Sequence, residues 1–187
     1  MKQDLRRVLL TQRQDLTPVQ RARHDAALGR RLLAWCAQHP SACLGVYWPI
    51  RGEPDLREAY AELARGGQDL ALPVVVGRDV PLAFAAWAPG EPLEQGAMKV
   101  PVPQAPQRFV TPDVLLIPCV GFNKARLRLG YGGGFYDRTL ACAPRPLAVG
   151  VAYQCTLAEF EGDAHDIALD AVLTEENEYP PESLPAG

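Results

Sequence analysis

Leu5, Val8, Leu9 and Leu16 recur at helical spacing near the start of the chain, which predicts an amphipathic helix over residues 2–16. On such a helix Lys2, Arg6 and Arg13 occupy a narrow sector flanking the apolar stripe, while Arg7 falls on the opposite side. A second helix has sharper punctuation: Thr17 as N-cap, Pro18 at the first helical position and Gln20 completing a capping box, with the end near His39 and Pro40. Residues 43–48 (CLGVYW) form a short apolar run suited to a buried strand, stopped by Pro49. After the turn at 49–54, Asp55 is placed to cap a third helix with Leu56, Ala59, Tyr60, Leu63 and Ala64 on its inner face and Gly66-Gly67 closing it. Further strands are predicted at 70–76, 82–87, 114–118, 147–151 and 171–174. The six prolines within residues 89–112 predict an extended loop there. Strands alternating with helices imply an α/β class: a three-layer α/β/α sandwich with a mostly parallel sheet, helices on both faces and one domain over 1–187.

Composition narrows the picture. A chain of 187 residues suits one domain, and 48% apolar with 22% charged residues excludes disorder, collagen and coiled coil. The longest apolar runs fall far short of the ~20 residues that span a bilayer, so no membrane partner is expected. The start, Met1-Lys2-Gln3-Asp4-Leu5-Arg6-Arg7, has no apolar stretch of the signal-peptide kind. A net charge of −3 argues against nonspecific nucleic-acid binding and leaves room for a local basic pocket. The five cysteines (Cys36, Cys43, Cys119, Cys142, Cys155) form no C-x-x-C pair, which predicts a reduced, cytoplasmic protein without a zinc ribbon or disulfide framework. His24 and His39 lack partners at metal-ligand spacing and read as surface residues.

In an open α/β sheet ligands bind beyond the carboxyl ends of the strands. The loop after the first strand carries Glu53, and the loop after residues 114–118 carries Gly130-Tyr131-Gly132-Gly133-Gly134. Four glycines in five positions allow positive φ and let backbone N–H groups converge on an anion. Residues 135–141 read as a helix whose N-terminus would face the same anion, and Lys124, Arg126 and Arg128 add positive charge. No Walker A pattern is present, and Phe135 occupies the third glycine position of G-x-G-x-x-G. Taken singly, the glycines read as a flexible loop and the cations of the first helix as a solvated face. Together, after a strand, they favour a phosphate site.

The run Arg128-Leu129-Gly130-Tyr131-Gly132-Gly133-Gly134-Phe135-Tyr136-Asp137-Arg138 resembles the signature of the 5-formyltetrahydrofolate cyclo-ligase (5,10-methenyltetrahydrofolate synthetase) family. Lys2-x-x-x-Arg6 resembles that family's N-terminal nucleotide motif, and Tyr47-Trp48-Pro49-Ile50-Arg51-Gly52-Glu53 its folate-contacting strand end. Leu72-Pro73 and the stretch from His165 to Leu173 fit in order; Asn123, Ala125-Arg126 and Phe135 depart from the usual residues. The resemblance implies a sugar-phosphate isomerase/CoA transferase-like fold and an ATP- and Mg²⁺-dependent closure of 5-formyltetrahydrofolate to 5,10-methenyltetrahydrofolate. It implies ATP contacts at Lys2, Gln3, Asp4, Leu5, Arg6, Arg128, Leu129, Gly130, Tyr131, Gly132, Gly133, Gly134, Phe135 and Tyr136. It implies folate contacts at Trp48, Glu53, Tyr131, Gly132, Gly133, Gly134 and Phe135, and catalytic roles for Arg128 and Tyr136. Asp137 and Asp166 become the Mg²⁺ ligands, with Asp170 competing for the second place. The partners are then small molecules and the protein a monomer.

Plainer readings stand beside these. Asp137 also suits the first turn of a helix, and Trp48 and Phe135 suit a core. Rival functions are an ATP-independent isomerase or CoA transferase recruiting Glu53, a non-catalytic folate or nucleotide binder, and a Cys119 nucleophile working with His165. Against the last, a free cysteine on a buried strand is usually inert packing.

Overall fold

Leu9 of α1 (Lys2–Gln14) is buried against Val120 and Leu129 in the computed structural model, which describes residues 2–180. The helix stops before Leu16, and Val8 faces solvent, so the inward stripe is Leu5, Leu9 and Leu10. α2 (Pro18–Gln38) starts at the expected capping box: the Gln20 N–H donates to Thr17 Oγ1 at 3.2 Å and the Thr17 N–H to Gln20 Oε1 at 2.9 Å. Leu28, Leu32 and Trp35 line its inner side.

β1 (Cys43–Gly45) is shorter than the apolar run that encodes it. Beyond it Val46 keeps one ladder bond to the Ala71 carbonyl, and the Tyr47 hydroxyl donates to the Pro54 carbonyl at 2.7 Å. The rest of the run therefore becomes the buried stem of the turn that carries Glu53. α3 (Arg57–Arg65) begins at Leu56 without a side-chain cap; the Asp55 carboxylate is taken by the Arg57 guanidinium and backbone N–H instead. Gly66 and Gly67 end it as expected, Gly67 at φ +92°.

β2 (Asp69–Val74) and β3 (Ala83–Ala86) follow. The proline-rich stretch is more ordered than an extended loop. β4 (Leu93–Gln95) and β5 (Pro101–Pro103) form an antiparallel ribbon across a 3₁₀ turn at Ala97–Lys99, and β6 (Phe109–Val110) adds to the main sheet beside β3. A ribbon of two edge strands tolerates Pro101 and Pro103 because their missing N–H groups can lie on the unpaired side. β7 (Val114–Pro118) leads into a small hairpin, β8 (Gly121–Phe122) and β9 (Arg128–Leu129), then α4 (Phe135–Leu140), β10 (Leu147–Val151), β11 (Ala171–Leu173) and β12 (Glu178–Tyr179).

The main sheet has the order β12-β11-β10-β7-β1-β2-β3-β6. The run from β11 to β2 is parallel; β12 is antiparallel to β11, β3 to β2, and β6 to β3. The central strands bury both faces, as parallel strands do. Leu44, Leu70, Leu72, Leu116 and Val149 pack under α2 and α3, whereas Ala71, Leu115, Ile117, Ala148 and Val172 face the other way. That second face is covered by Leu140 of the six-residue α4, Phe122 of the hairpin and Leu169 of an extended segment. Helices on both faces are thus realised on one side, and largely replaced by a hairpin on the other.

Candidate active site

The carboxyl ends of β1, β2 and β7 open into one cleft of about 340 Å³. Lys2 and Arg6 reach it from α1, Trp48 and Glu53 from the turn after β1, Pro73 and Val75 from the end of β2, and Ala97, Met98, Val100 and Val102 from the ribbon. The opposite wall is the glycine loop from Arg128 to Asp137, with Asp163 and Asp166 at one side.

The glycine loop is braced from beneath by α1. Arg6 Nε donates to the Gly130 carbonyl at 2.8 Å, and Arg13 Nη2 to Tyr131 Oη at 2.7 Å. The hairpin before the loop is closed by Asn123, whose Oδ1 accepts from the Leu127 N–H and whose Nδ2 donates to the Phe160 carbonyl. Positive φ occurs at Gly132 (+98°) and Gly134 (+65°), but at neither Gly130 nor Gly133. At those two the crowding is by side chains: a Cβ on Gly130 would run into Arg128 Nη1, and one on Gly133 would stand 3.0 Å from the Phe135 ring. Among the described residues, the backbone N–H groups from Gly130 to Gly134 have no protein acceptor. The loop that carries these five N–H groups lines the cleft, an arrangement that suits an anion.

Arg128 donates to Asp137 Oδ2 at 2.8 Å and lies 5.5 Å over the Tyr136 ring; its side chain is 7% exposed and its Nε has no partner. Burial pushes the Tyr136 hydroxyl far above its ordinary range. Lys2 Nζ donates to Asp163 Oδ2 at 2.7 Å and to Asp166 Oδ2 at 2.9 Å. The Asp166 carboxyl is pushed up by burial but pulled further down by Lys2 and the Asp163 N–H, leaving it below the usual 3.8.

Glu53 is 4% exposed, accepting from the Ile50 N–H at 3.0 Å and from the Tyr131 hydroxyl at 2.9 Å. Burial raises its carboxyl above the ordinary 4.5, against the pull of these two donors and of Arg13 and Arg51. Trp48 packs edge-on to Trp87 and beneath Arg57, 4.8 Å from its ring, and Phe135 lies under Arg138 at 5.0 Å.

Several expected contacts fall elsewhere. Gln3, Asp4 and Leu5 do not line the cleft: Gln3 and Asp4 are exposed, with Asp4 accepting from Arg7, and Leu5 packs inward. Gln3 and Asp4 lie off the helix face that Lys2 and Arg6, four residues apart, share, while Leu5 at its inner edge packs against the cluster of Leu9, Val120 and Leu129. Lys124 is exposed, and Arg126, at φ +62°, turns away to the carbonyls of Leu169 and Pro180. Asp170 is held by Arg145 and the Ala148 N–H outside the cleft, which removes it as a rival to Asp166. The Cys119 thiol, 1% exposed and pushed up by burial to about 12, donates to the Ile117 carbonyl, and His165 is exposed; this pair is no nucleophilic centre. Two residues at or beside the site give little signal in the sequence. Asp163 carries no signal beyond being an acid near Asp166, and Arg13 was visible only as the third cation on one sector of α1.

Asp137 and Asp166 supply two carboxylates beside the loop, and among the described residues no group of three His, Cys, Asp or Glu could hold a metal ion. Mg²⁺ keeps few protein ligands and completes its shell with water and phosphate oxygens, so these cleft carboxylates, held at present by Arg128 and Lys2, are of the kind it takes.

Fold and cleft together define a small α/β protein of the glycine-loop kind, with a buried carboxylate set opposite the loop. The chain belongs to the 5-formyltetrahydrofolate cyclo-ligase family, whose model matches residues 1–175. It is 32% identical over 173 residues to the 5-formyltetrahydrofolate cyclo-ligase of Escherichia coli K12, covering 87% of this chain and 93% of the relative. The Mycoplasma pneumoniae cyclo-ligase is 28% identical over 177 residues, covering 94% and 99%. The NMR structure of Aquifex aeolicus 5,10-methenyltetrahydrofolate synthetase superposes with a TM-score of 0.82 at 29% identity, covering 100% of this chain and 95% of that one.

Proposed function

We propose that this protein uses ATP and Mg²⁺ to convert 5-formyltetrahydrofolate to 5,10-methenyltetrahydrofolate, releasing ADP and phosphate. The observation that carries this reading is the 2.9 Å contact from Tyr131 Oη to Glu53 Oε1. It joins the glycine loop to the buried carboxylate, so a triphosphate cradle and a site for a polar-edged ring system share one cleft.

The N5-formyl group is an amide, and its oxygen leaves poorly. Transfer of the γ-phosphoryl group to that oxygen makes it phosphate; N10 then attacks the formyl carbon and gives up its proton, the five-membered ring closes and the C–O bond breaks as phosphate departs. The protein must hold the triphosphate, the formyl oxygen and N10 in register and stabilise charge spread over the moving phosphoryl group. The amides of Gly130 to Gly134, Lys2, Arg6 and Arg128 are the donors for the phosphates, with Arg128 and Tyr136 nearest the chemistry. Glu53, Trp48, Tyr131 and Phe135 hold the folate. Mg²⁺, held by Asp137 and Asp166, would supply charge neutralisation for the phosphate oxygens. We further read the chain as one domain of the sugar-phosphate isomerase/CoA transferase-like fold, acting as a cytoplasmic monomer on small molecules alone. Among the described residues no helix is long and apolar enough to cross a membrane.

The test follows methenyl absorbance with 5-formyltetrahydrofolate, with and without ATP and Mg²⁺, alongside ADP. The expected result is product only with both, and one ADP per methenyl group. Product without ATP would overturn the reading in favour of an isomerase-like reaction.

A further inference from the structure

Arg13 is 1% exposed, the largest fully buried side chain among the described residues, yet it does not line the cleft. A buried guanidinium is tolerated only where acceptors meet its donors. Its Nη2 donates to Tyr131 Oη at 2.7 Å and to the Arg51 carbonyl at 2.9 Å, and its Nη1 to the Cys119 carbonyl at 3.4 Å, so both Nη atoms are met while the buried Nε has no partner. One side chain of α1 thus ties together the glycine loop, the turn that carries Glu53 and the chain just beyond β7.

The direction of these bonds is fixed by chemistry. A guanidinium has no acceptor, so at the Arg13–Tyr131 contact the phenol oxygen must accept. The single phenol proton is then free for Glu53 Oε1, 2.9 Å away, while Glu53 Oε2 accepts from the Ile50 N–H at 3.0 Å. Both carboxylate oxygens therefore receive donors, the pattern that suits an ionised group. Arg13 and Glu53 form a buried pair of opposite charges joined through a phenol. Arg51, the other cation beside this pair, stacks over the Tyr131 ring at 5.1 Å.

We propose that Arg13 is a positioning residue: acting through the Tyr131 hydroxyl, it fixes the orientation and charge of Glu53 in the folate half of the cleft without touching either substrate. This rests on the folate role proposed for Glu53. Arg6 grips the same loop at Gly130, whereas Arg13 also bonds the Arg51 carbonyl of the Glu53 turn, so the two arginines divide the work. Arg6 serves the phosphate side and Arg13 the folate side.

Arg13→Met keeps the length of the stem and removes the charge and donors. Once the wild type has been shown to turn over, folate and ATP parameters are measured separately in Arg13→Met, Tyr131→Phe and the double variant, with thermal melts to establish folding. The folate kcat/KM should fall about tenfold or more in Arg13→Met while the KM for ATP stays within about twofold. The double variant should be no worse than the poorer single variant by more than about twofold, because both cut the same chain of bonds. Equal damage to folate and ATP parameters, additive losses, or an unchanged folate kcat/KM would overturn the inference. If Arg13→Met does not fold, Arg13→Lys, which keeps the charge but not the fork, carries the same comparison. A wild type inactive on folate would instead sink the proposed function.

Discussion

Lys2 Nζ lies 2.9 Å from Asp166 Oδ2, joining two residues 164 positions apart across the side of the cleft. The same ammonium holds Asp163, so the first turn of α1 and the segment before β11 are clasped by one charge. Lys2 is the group proposed for a phosphate oxygen and Asp166 the group proposed for Mg²⁺. An ammonium and a divalent cation compete for one carboxylate, so nucleotide and metal binding should be linked through this pair. A charge-assisted hydrogen bond is worth ~1.5–3 kcal/mol where water is excluded and less at a partly exposed rim. Lys2→Met should therefore weaken ATP binding about fivefold, by calorimetry, and flatten its salt dependence. An unchanged affinity would remove Lys2 from the site.

Glu53 makes a pH-dependent contribution whose sign follows from its raised carboxyl. At pH between the ordinary 4.5 and its folded value, the folded state holds a proton that the unfolded state has released. Its contribution to stability is complete below 4.5 and declines as pH rises through the folded value. Glu53→Gln has no proton to release. It keeps one acceptor oxygen for two donors, the Ile50 N–H and the Tyr131 hydroxyl, which costs about 1–3 kcal/mol, yet the gap in thermal stability to wild type should narrow as pH rises above the ordinary 4.5. A gap that widens would contradict the sign. On activity, folate kcat/KM should fall about tenfold or more, with ATP affinity little changed.

Much of this arrangement is legible in the sequence because it is local. Thr17-Pro18-Val19-Gln20 carries its cap within four residues, and β7 and β10 occupy the apolar runs that encode them. The clustering of Lys2, Arg6, Glu53 and the glycine loop follows from where loops leave a parallel sheet. What escaped depends on distant partners. Arg13 looks like a surface arginine until Tyr131, Arg51 and Cys119 supply its acceptors. Arg126 and Arg128 look equivalent, but the left-handed turn at Arg126 breaks strand alternation and aims it away. The ribbon of β4 and β5 was hidden by its prolines, which forbid a central strand and permit an edge.

Asp137 faces Arg128 at 2.8 Å, and the two side chains are 27% and 7% exposed. Asp137→Asn leaves the guanidinium short of its counter-charge, at a cost of about 1–3 kcal/mol to stability. If Asp137 also binds Mg²⁺, the concentration of Mg²⁺ needed for half-maximal ATP binding should rise severalfold. A melt that shifts while the Mg²⁺ titration stays put would leave Asp137 as a partner of Arg128 alone.

The glycine loop separates two causes of sensitivity that a motif cannot distinguish. Gly132 sits at φ +98°, and a Cβ there would have open space, with Arg6 Cζ nearest at 3.9 Å. Its constraint is therefore the backbone, and a β-branched residue held at positive φ stores roughly 1–3 kcal/mol unless the loop rearranges. Gly133 has an ordinary φ, and its constraint is the Phe135 ring at 3.0 Å, which can swing. Gly132→Val should thus reorient the loop amides and lower ATP affinity about tenfold or more. Gly133→Ala should displace the Phe135 ring and weaken folate binding more than ATP binding. Both positions lie outside the sheet, so circular dichroism should stay near wild type in each. If Gly133→Ala damages ATP binding more than Gly132→Val does, the loop amides are not oriented by the backbone at Gly132, and its role as the phosphate cradle would have to be abandoned.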